Sequence, residues 1–193
     1  MKKIIILFSI IILIIFINGC NNLENISQSS TILILQSLTG VDLNGAESSE
    51  LWSDVITDGA IYNDNADVTF TAKVLNPLTE DTTYYQDAII DQIDISFRRP
   101  DGKNVEGVDV PYSFSQKLHV IVGVDESSTF SFVVIRQVAK MESPLRDLRE
   151  GSSEVVLELI ADITFYAKDI AGNRITPVKG SLTVWCANYG DSE

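Results

Sequence analysis

The stretch "DVTFTAKVL", residues 67–75, decides the fold. Val68, Phe70, Ala72 and Val74 fall on one face, and Thr69, Thr71 and Lys73 on the other. A repeat of two marks a strand with one face buried and the other in water. Outward from it, "IIDQIDISF" (89–97) turns Ile93, Ile95 and Phe97 inward and Gln92, Asp94 and Ser96 outward. "TILILQSL" (31–38), "KLHVIV" (117–122), "STFSFVVIRQV" (128–138), "SEVVLELIADITFYAK" (153–168) and "RITPVKGSLTVWC" (174–186) continue the theme. Between these runs stand "LNPLTED", "RRPDGKN", "GVDE" and "DIAGNR", with Gly, Pro, Asn or Asp where a chain reverses.

Some seven or eight strands at this spacing predict an all-β fold, a single β-sandwich over residues 31–193. Its architecture resembles that of immunoglobulin and fibronectin type III modules. Paired cysteines around a core tryptophan are absent, so the resemblance is architectural. One short helix is expected near 144–150, in "SPLRDLREG". There Ser143 suits the N-cap, Pro144 the first turn, Leu145 and Leu148 an apolar face and Gly151 the stop.

The first twenty residues have another character. Lys2 and Lys3 precede fourteen residues, "IIILFSIIILIIFI" (4–17), and then Asn18, Gly19 and Cys20. A basic head and an apolar middle form a targeting pattern, and the run falls short of the roughly 20 residues a spanning helix needs. "INGC" resembles the lipobox of bacterial lipoproteins, with Asn18 a mild departure from its small or apolar occupant. The resemblance implies cleavage after Gly19, a diacylglyceryl thioether on the Cys20 sulfur and acylation of the new amino terminus. Residues 1–19 are then a cleaved signal peptide, and Asn21, not being Asp, implies the outer membrane. In an organism with one membrane, the same signal leaves the protein on that membrane's outer face. A plain secretory leader with an incidental cysteine is the alternative. "NNLENISQSS" (21–30) has no periodicity and reads, with Cys20, as a flexible tether.

The chain carries 14 basic and 27 acidic residues, and loss of Lys2 and Lys3 with the leader leaves 12 against 27, about −15. Such a charge disfavours nucleic acid, whose phosphates need clustered Lys and Arg. Anionic lipid would repel it too, which suits a body held by a tether. Cys20 is taken by lipid, so Cys186 has no disulfide partner; in "SLTVWCAN" it alternates inward with Leu182 and Val184. The sequence body is also similar to uncharacterised lipoproteins, a similarity that implies no site.

Chemistry offers few candidates. The single His119 lies in a strand, pointing outward with Ile121, and no G-x-S-x-G elbow presents a serine to it. One His and one unlipidated Cys make a poor zinc set. "SDVITDGAIYNDNAD" gathers Asp54, Asp58, Asn63, Asp64, Asn65 and Asp67 within fourteen residues, oxygen ligands of the kind calcium takes. Its "NDN" resembles the calcium linker of cadherins, with Ile61 where an Asp precedes that triplet. Hydrogen-bonded turns need the same residues, so both readings stand. Arg98, Arg99 and Lys103 with Tyr112 make either a contact surface or a solvated hairpin tip. Tyr84 and Tyr85, and Trp52 and Tyr62 beside the acidic stretch, either meet partners and sugars or cap the sandwich ends.

The expectation is a lipid-anchored extracytoplasmic lipoprotein, not an enzyme, with a binding, adhesion or envelope-assembly role. An envelope protein or glycan is the expected partner, and no cofactor is expected unless calcium. A calcium-stabilised adhesion or carbohydrate-contact module is the alternative. A hydrolase is the third, and it requires a carboxylate pair and a raised carboxyl pKa in one concave pocket.

Overall fold

Phe70 is fully buried, and its ring meets Phe165 edge-on at 4.9 Å and Phe130 in a stacked arrangement at 6.2 Å. Those three rings belong to different strands of two facing sheets. In a computed structural model, residues 27–76, 83–149 and 155–189 are described. The strands are β1 (Thr31–Val41), β2 (Glu47–Ser48), β3 (Glu50–Asp54), β4 (Asp64–Val74), β5 (Ala88–Arg98), β6 (Phe114–Val122), β7 (Ser127–Ile135), β8 (Leu157–Asp169) and β9 (Arg174–Ala187). One sheet runs β2-β1-β4-β7 and the other β3-β9-β8-β5-β6. The fold is therefore the all-β sandwich, and all seven of the periodic runs are strands in it.

Alternation survives where the core demands it. Val68, Phe70 and Ala72 on β4, Ile93, Ile95 and Phe97 on β5, and Leu182, Val184 and Cys186 on β9 all face the core. Each large apolar side chain removed from water there stabilises the fold by about 1.5–3 kcal/mol. Bulges interrupt the period between Ile90 and Gln92 on β5 and between Phe165 and Ala167 on β8. Ile90 and Ile93, three apart, are thus both buried.

The leading edge is shared between the sheets. Residues 27–30 hydrogen-bond to Arg174 of β9 and to Leu75, β1 pairs with β4, and β3 returns to pair in parallel with the end of β9. Crossing from one sheet to the other brings backbones together at Gly40. A Cβ there would lie 2.5 Å from the Glu50 carbonyl oxygen, so only glycine fits. Of the tether span 20–30, residues 27–30 belong to the folded body, and 20–26 lie outside the described residues, as does the leader with Gly19 and Cys20.

The helix near 144–150 is a finding of a different kind. Its place is taken by two short 3-10 turns, Ala139–Met141 and Arg146–Leu148, while residues 150–154 lie outside the description. Ser143 does not cap; its hydroxyl donates to Asp147 Oδ2 at 2.6 Å, and the Ser143–Pro144 peptide is cis. Leu145 and Leu148 are buried as expected. Their spacing of three suits a 3-10 turn as well as an α-helix, and two anchors need no longer face.

Candidate functional site

The sandwich has two distinct ends. At the end far from Ser27, Lys140 is 1% exposed. Its ammonium donates to the Asp54 carbonyl at 2.7 Å and to Asp64 Oδ1 at 2.8 Å. Asp64 Oδ2 accepts from the Ser53 hydroxyl at 2.6 Å. Burial raises the Asp64 carboxyl above its ordinary value, more than Lys140 and Ser53 lower it. Behind this pair lies Cys186, the free cysteine among the described residues, whose thiol burial pushes up to about 12. Such a thiol is a core hydrophobe and no nucleophile.

This hub answers for part of the acidic stretch 54–67. Asp54 accepts from the Thr57 hydroxyl at 2.9 Å and from the Tyr189 N–H at 3.2 Å. Asn63 Oδ1 accepts from the Gln137 N–H at 2.6 Å, and Asp67 bonds to the Ser131 hydroxyl. Asn65 is exposed on β4, and Asp58 takes a left-handed turn at φ 50°. The six residues are thus spread over the end of β3, a turn at Asp58 and the start of β4 with the residue before it. Among the described residues, no group of three or more His, Cys, Asp and Glu is placed to hold a metal ion. Trp52 packs on Trp185 at 6.2 Å and Tyr189 at 5.4 Å, whereas Tyr62 stays exposed.

A second feature lies on the outer face of the five-stranded sheet. The bulges on β5, β8 and β9 open a concavity of about 780 Å³, whose lining includes Asp91, Asp94, Lys117, Tyr166, Lys168 and Arg174. Hydrogen bonds from the Ser115 hydroxyl, the Gln92 amide and the Tyr166 hydroxyl hold the Asp94 carboxyl below its usual range. Tyr166 is raised in turn by that same bond. Lys117 bonds to Gln92, and Lys168 pairs with Asp91 at 3.3 Å. The result is a polar surface with aligned donors and acceptors. Gln92 and Asp94 are read from the sequence as outward; their convergence with β6, β8 and β9 is not, because register at bulges leaves no local signal.

His119 is exposed on β6, the edge strand, beside Ile121, as the alternation predicts. Arg99 pairs with its near neighbour Asp101 at 2.7 Å, and Gly102 at φ 82° closes the turn, so the basic hairpin tip braces itself. Lys140 escaped sequence reading, since its partners lie 86 and 76 residues away. The one local sign is a lysine set among Val138, Ala139 and Met141. Scans against protein-family models and against curated proteins found no match.

Proposed function

We propose that the chain is a lipid-anchored envelope lipoprotein whose β-sandwich is a non-enzymatic binding module. The observation that carries this reading is the succession Lys2-Lys3, apolar 4–17 and "INGC", followed within seven residues by chain already hydrogen-bonded to the sandwich at Ser27. Two or three acyl chains on Cys20, at ~0.8 kcal/mol per buried methylene, hold such a body on a bilayer. Asn21 favours the outer membrane.

Binding is favoured over catalysis by where the groups lie. A hydrolase wants a raised carboxyl inside a concave pocket. Here the raised carboxyl, Asp64, belongs to the far end, and Asp94, in the concavity, is lowered. The concavity offers instead a fixed set of polar contacts, suited to an envelope glycan or protein.

Mass analysis of the native protein tests the anchor. An amino end at Cys20 carrying diacylglyceryl and acyl groups is expected, along with palmitate incorporation that Cys20→Ser abolishes. An intact leader or an unacylated amino end overturns it. Affinity capture from the native envelope tests the binding role: a partner lost on Lys117→Ala/Arg174→Ala is expected, and capture unchanged by that variant removes the concavity from the reading.

A further inference from the structure

The described chain begins at Ser27, and that point is built into one turn. Ser27 bonds to the Asn173 side chain, and its carbonyl accepts from the Arg174 N–H at 3.1 Å. Two residues earlier in that turn, the Ala171 N–H donates to the Tyr85 carbonyl at 3.3 Å, and the Ile170 N–H to Asp87 at 3.1 Å. Thr31, at the start of β1, ties the same segment through the Gln86 carbonyl at 2.7 Å. Tether root and tyrosine pair therefore share one end of the molecule. Tyr84 and Tyr85 are 65% and 66% exposed, their rings T-shaped with centroids 6.3 Å apart. Leu75, 58% exposed, is held at the same end, its N–H on the Ser30 carbonyl at 2.7 Å.

Length decides which end can meet a bilayer. Six residues separate Cys20 from Ser27. Seven Cα steps span at most ~25 Å. Strands such as β4 and β5 have 11 residues, and at ~3.3 Å per residue they set the far end roughly 35 Å from the root. With Cys20 in the membrane, the far end cannot reach it. Upright and side-lying poses remain. The side faces present charged rows such as Asp91, Asp94, Lys117 and Lys168, while the root end, among the described residues, presents two phenols and a leucine with one self-neutralising ion pair, Lys73–Asp125. Tyrosine favours the boundary between hydrocarbon and water, its ring in one and its hydroxyl in the other.

We propose that Tyr84, Tyr85 and Leu75 form a foot that rests in the interfacial layer of the anchoring membrane and holds the sandwich upright. The inference rests on lipidation at Cys20. In an upright pose the concavity on the five-stranded sheet opens sideways, running from Ser27, Gln28 and Gly172 at the root up to Lys117. The lipid surface is zwitterionic, because the domain's net negative charge is repelled by anionic headgroups.

The test anchors the mature chain artificially, so that native lipidation is judged separately by the mass of the cellular protein. Chain 20–193 is coupled through the Cys20 thiol to a maleimide lipid in phosphatidylcholine nanodiscs; buried Cys186 does not compete. Gadolinium-chelating headgroups then broaden nearby backbone amides. Broadening is expected to be strongest at Leu75, Tyr84, Tyr85 and Ala171 and weakest at Val108 and Met141. In Tyr84→Ser/Tyr85→Ser that excess is lost and broadening spreads along one side face, with the melting temperature unchanged because both rings are exposed. The same profile in wild type and variant overturns the foot, whatever the fate of Cys20 in the cell.

Discussion

Lys140 and Asp64 are each other's remedy. A buried carboxylate without a cation, or the reverse, is among the most destabilising single defects, whereas replacing both partners with apolar groups is close to neutral. Lys140→Met is expected to lose about 3–5 kcal/mol at neutral pH, and Lys140→Met/Asp64→Leu to recover most of it, by urea denaturation. The sign of the pH dependence follows from Asp64. Its folded carboxyl is raised above the unfolded one, so the stability it contributes in acid is lost as pH climbs through the folded value. Without Lys140 it rises further, and the deficit of Lys140→Met therefore shrinks on going from about pH 7 to about pH 4. Asp169 behaves oppositely. Burial raises it, but the Asn173 side chain, the Ser29 hydroxyl and the Asn173 and Gly172 N–H groups together hold it below its usual range. Its contribution is present above the unfolded value and lost as pH falls. Asp169→Asn is expected to lose about 1–3 kcal/mol at neutral pH, and the gap in melting temperature from wild type to narrow below about pH 4.

Between elements, side chains close one seam of the sandwich: the Ser128 hydroxyl donates to the Ile121 carbonyl at 3.1 Å, and Gln116 makes two further bonds. β6 and β7 are the edges of different sheets, and Gln116 bridges them. Its amide nitrogen donates to the Val133 carbonyl at 2.6 Å, and its oxygen accepts from the Val133 N–H at 3.3 Å. A side-chain amide thus takes the place of a neighbouring strand's peptide and covers an edge that would otherwise invite pairing. Gln116→Ala leaves both Val133 groups without partners, and a loss of about 1–3 kcal/mol is expected. Hydrogen exchange of the Val133 amide should quicken while that of Val68, deep in β4, is unaltered. How much of this the sequence discloses depends on range. Long strands are legible because burial on one face writes a period of two into the chain itself, as at Val68 to Val74. β3, "ELWSD", escapes because five residues with a carboxylate at each end carry too little alternation. Gln116 and Lys140 escape for a deeper reason: what they do is set by partners brought close only by the fold.

At the scale of the molecule, a net charge of −13 over the full chain, about −15 without Lys2 and Lys3, makes the body repel itself, and the repulsion is softened by salt. Raising NaCl from about 10 mM to about 150 mM shortens the screening length from roughly 30 Å to 8 Å, so the melting temperature should rise. Divalent cations sharpen the question left by residues 54–67. If those oxygens formed a cation cage, Ca²⁺ would stabilise far beyond Mg²⁺, because only the larger ion accepts six to eight ligands in flexible geometry. In the structure Asp64 is turned to Lys140 and Ser53, Asn63 to Gln137 and Asp67 to Ser131. Taking Asp64 for a metal would strip Lys140 of its counter-charge inside the core. Binding energy would then be spent on an ammonium left unpaired. Equal millimolar concentrations of Ca²⁺ and Mg²⁺ are accordingly expected to raise the melting temperature equally, as diffuse screening does. A Ca²⁺ shift several degrees beyond that of Mg²⁺ would mean that the loop rearranges around the ion, and would move the far end of the sandwich from a structural role to a ligand-binding one.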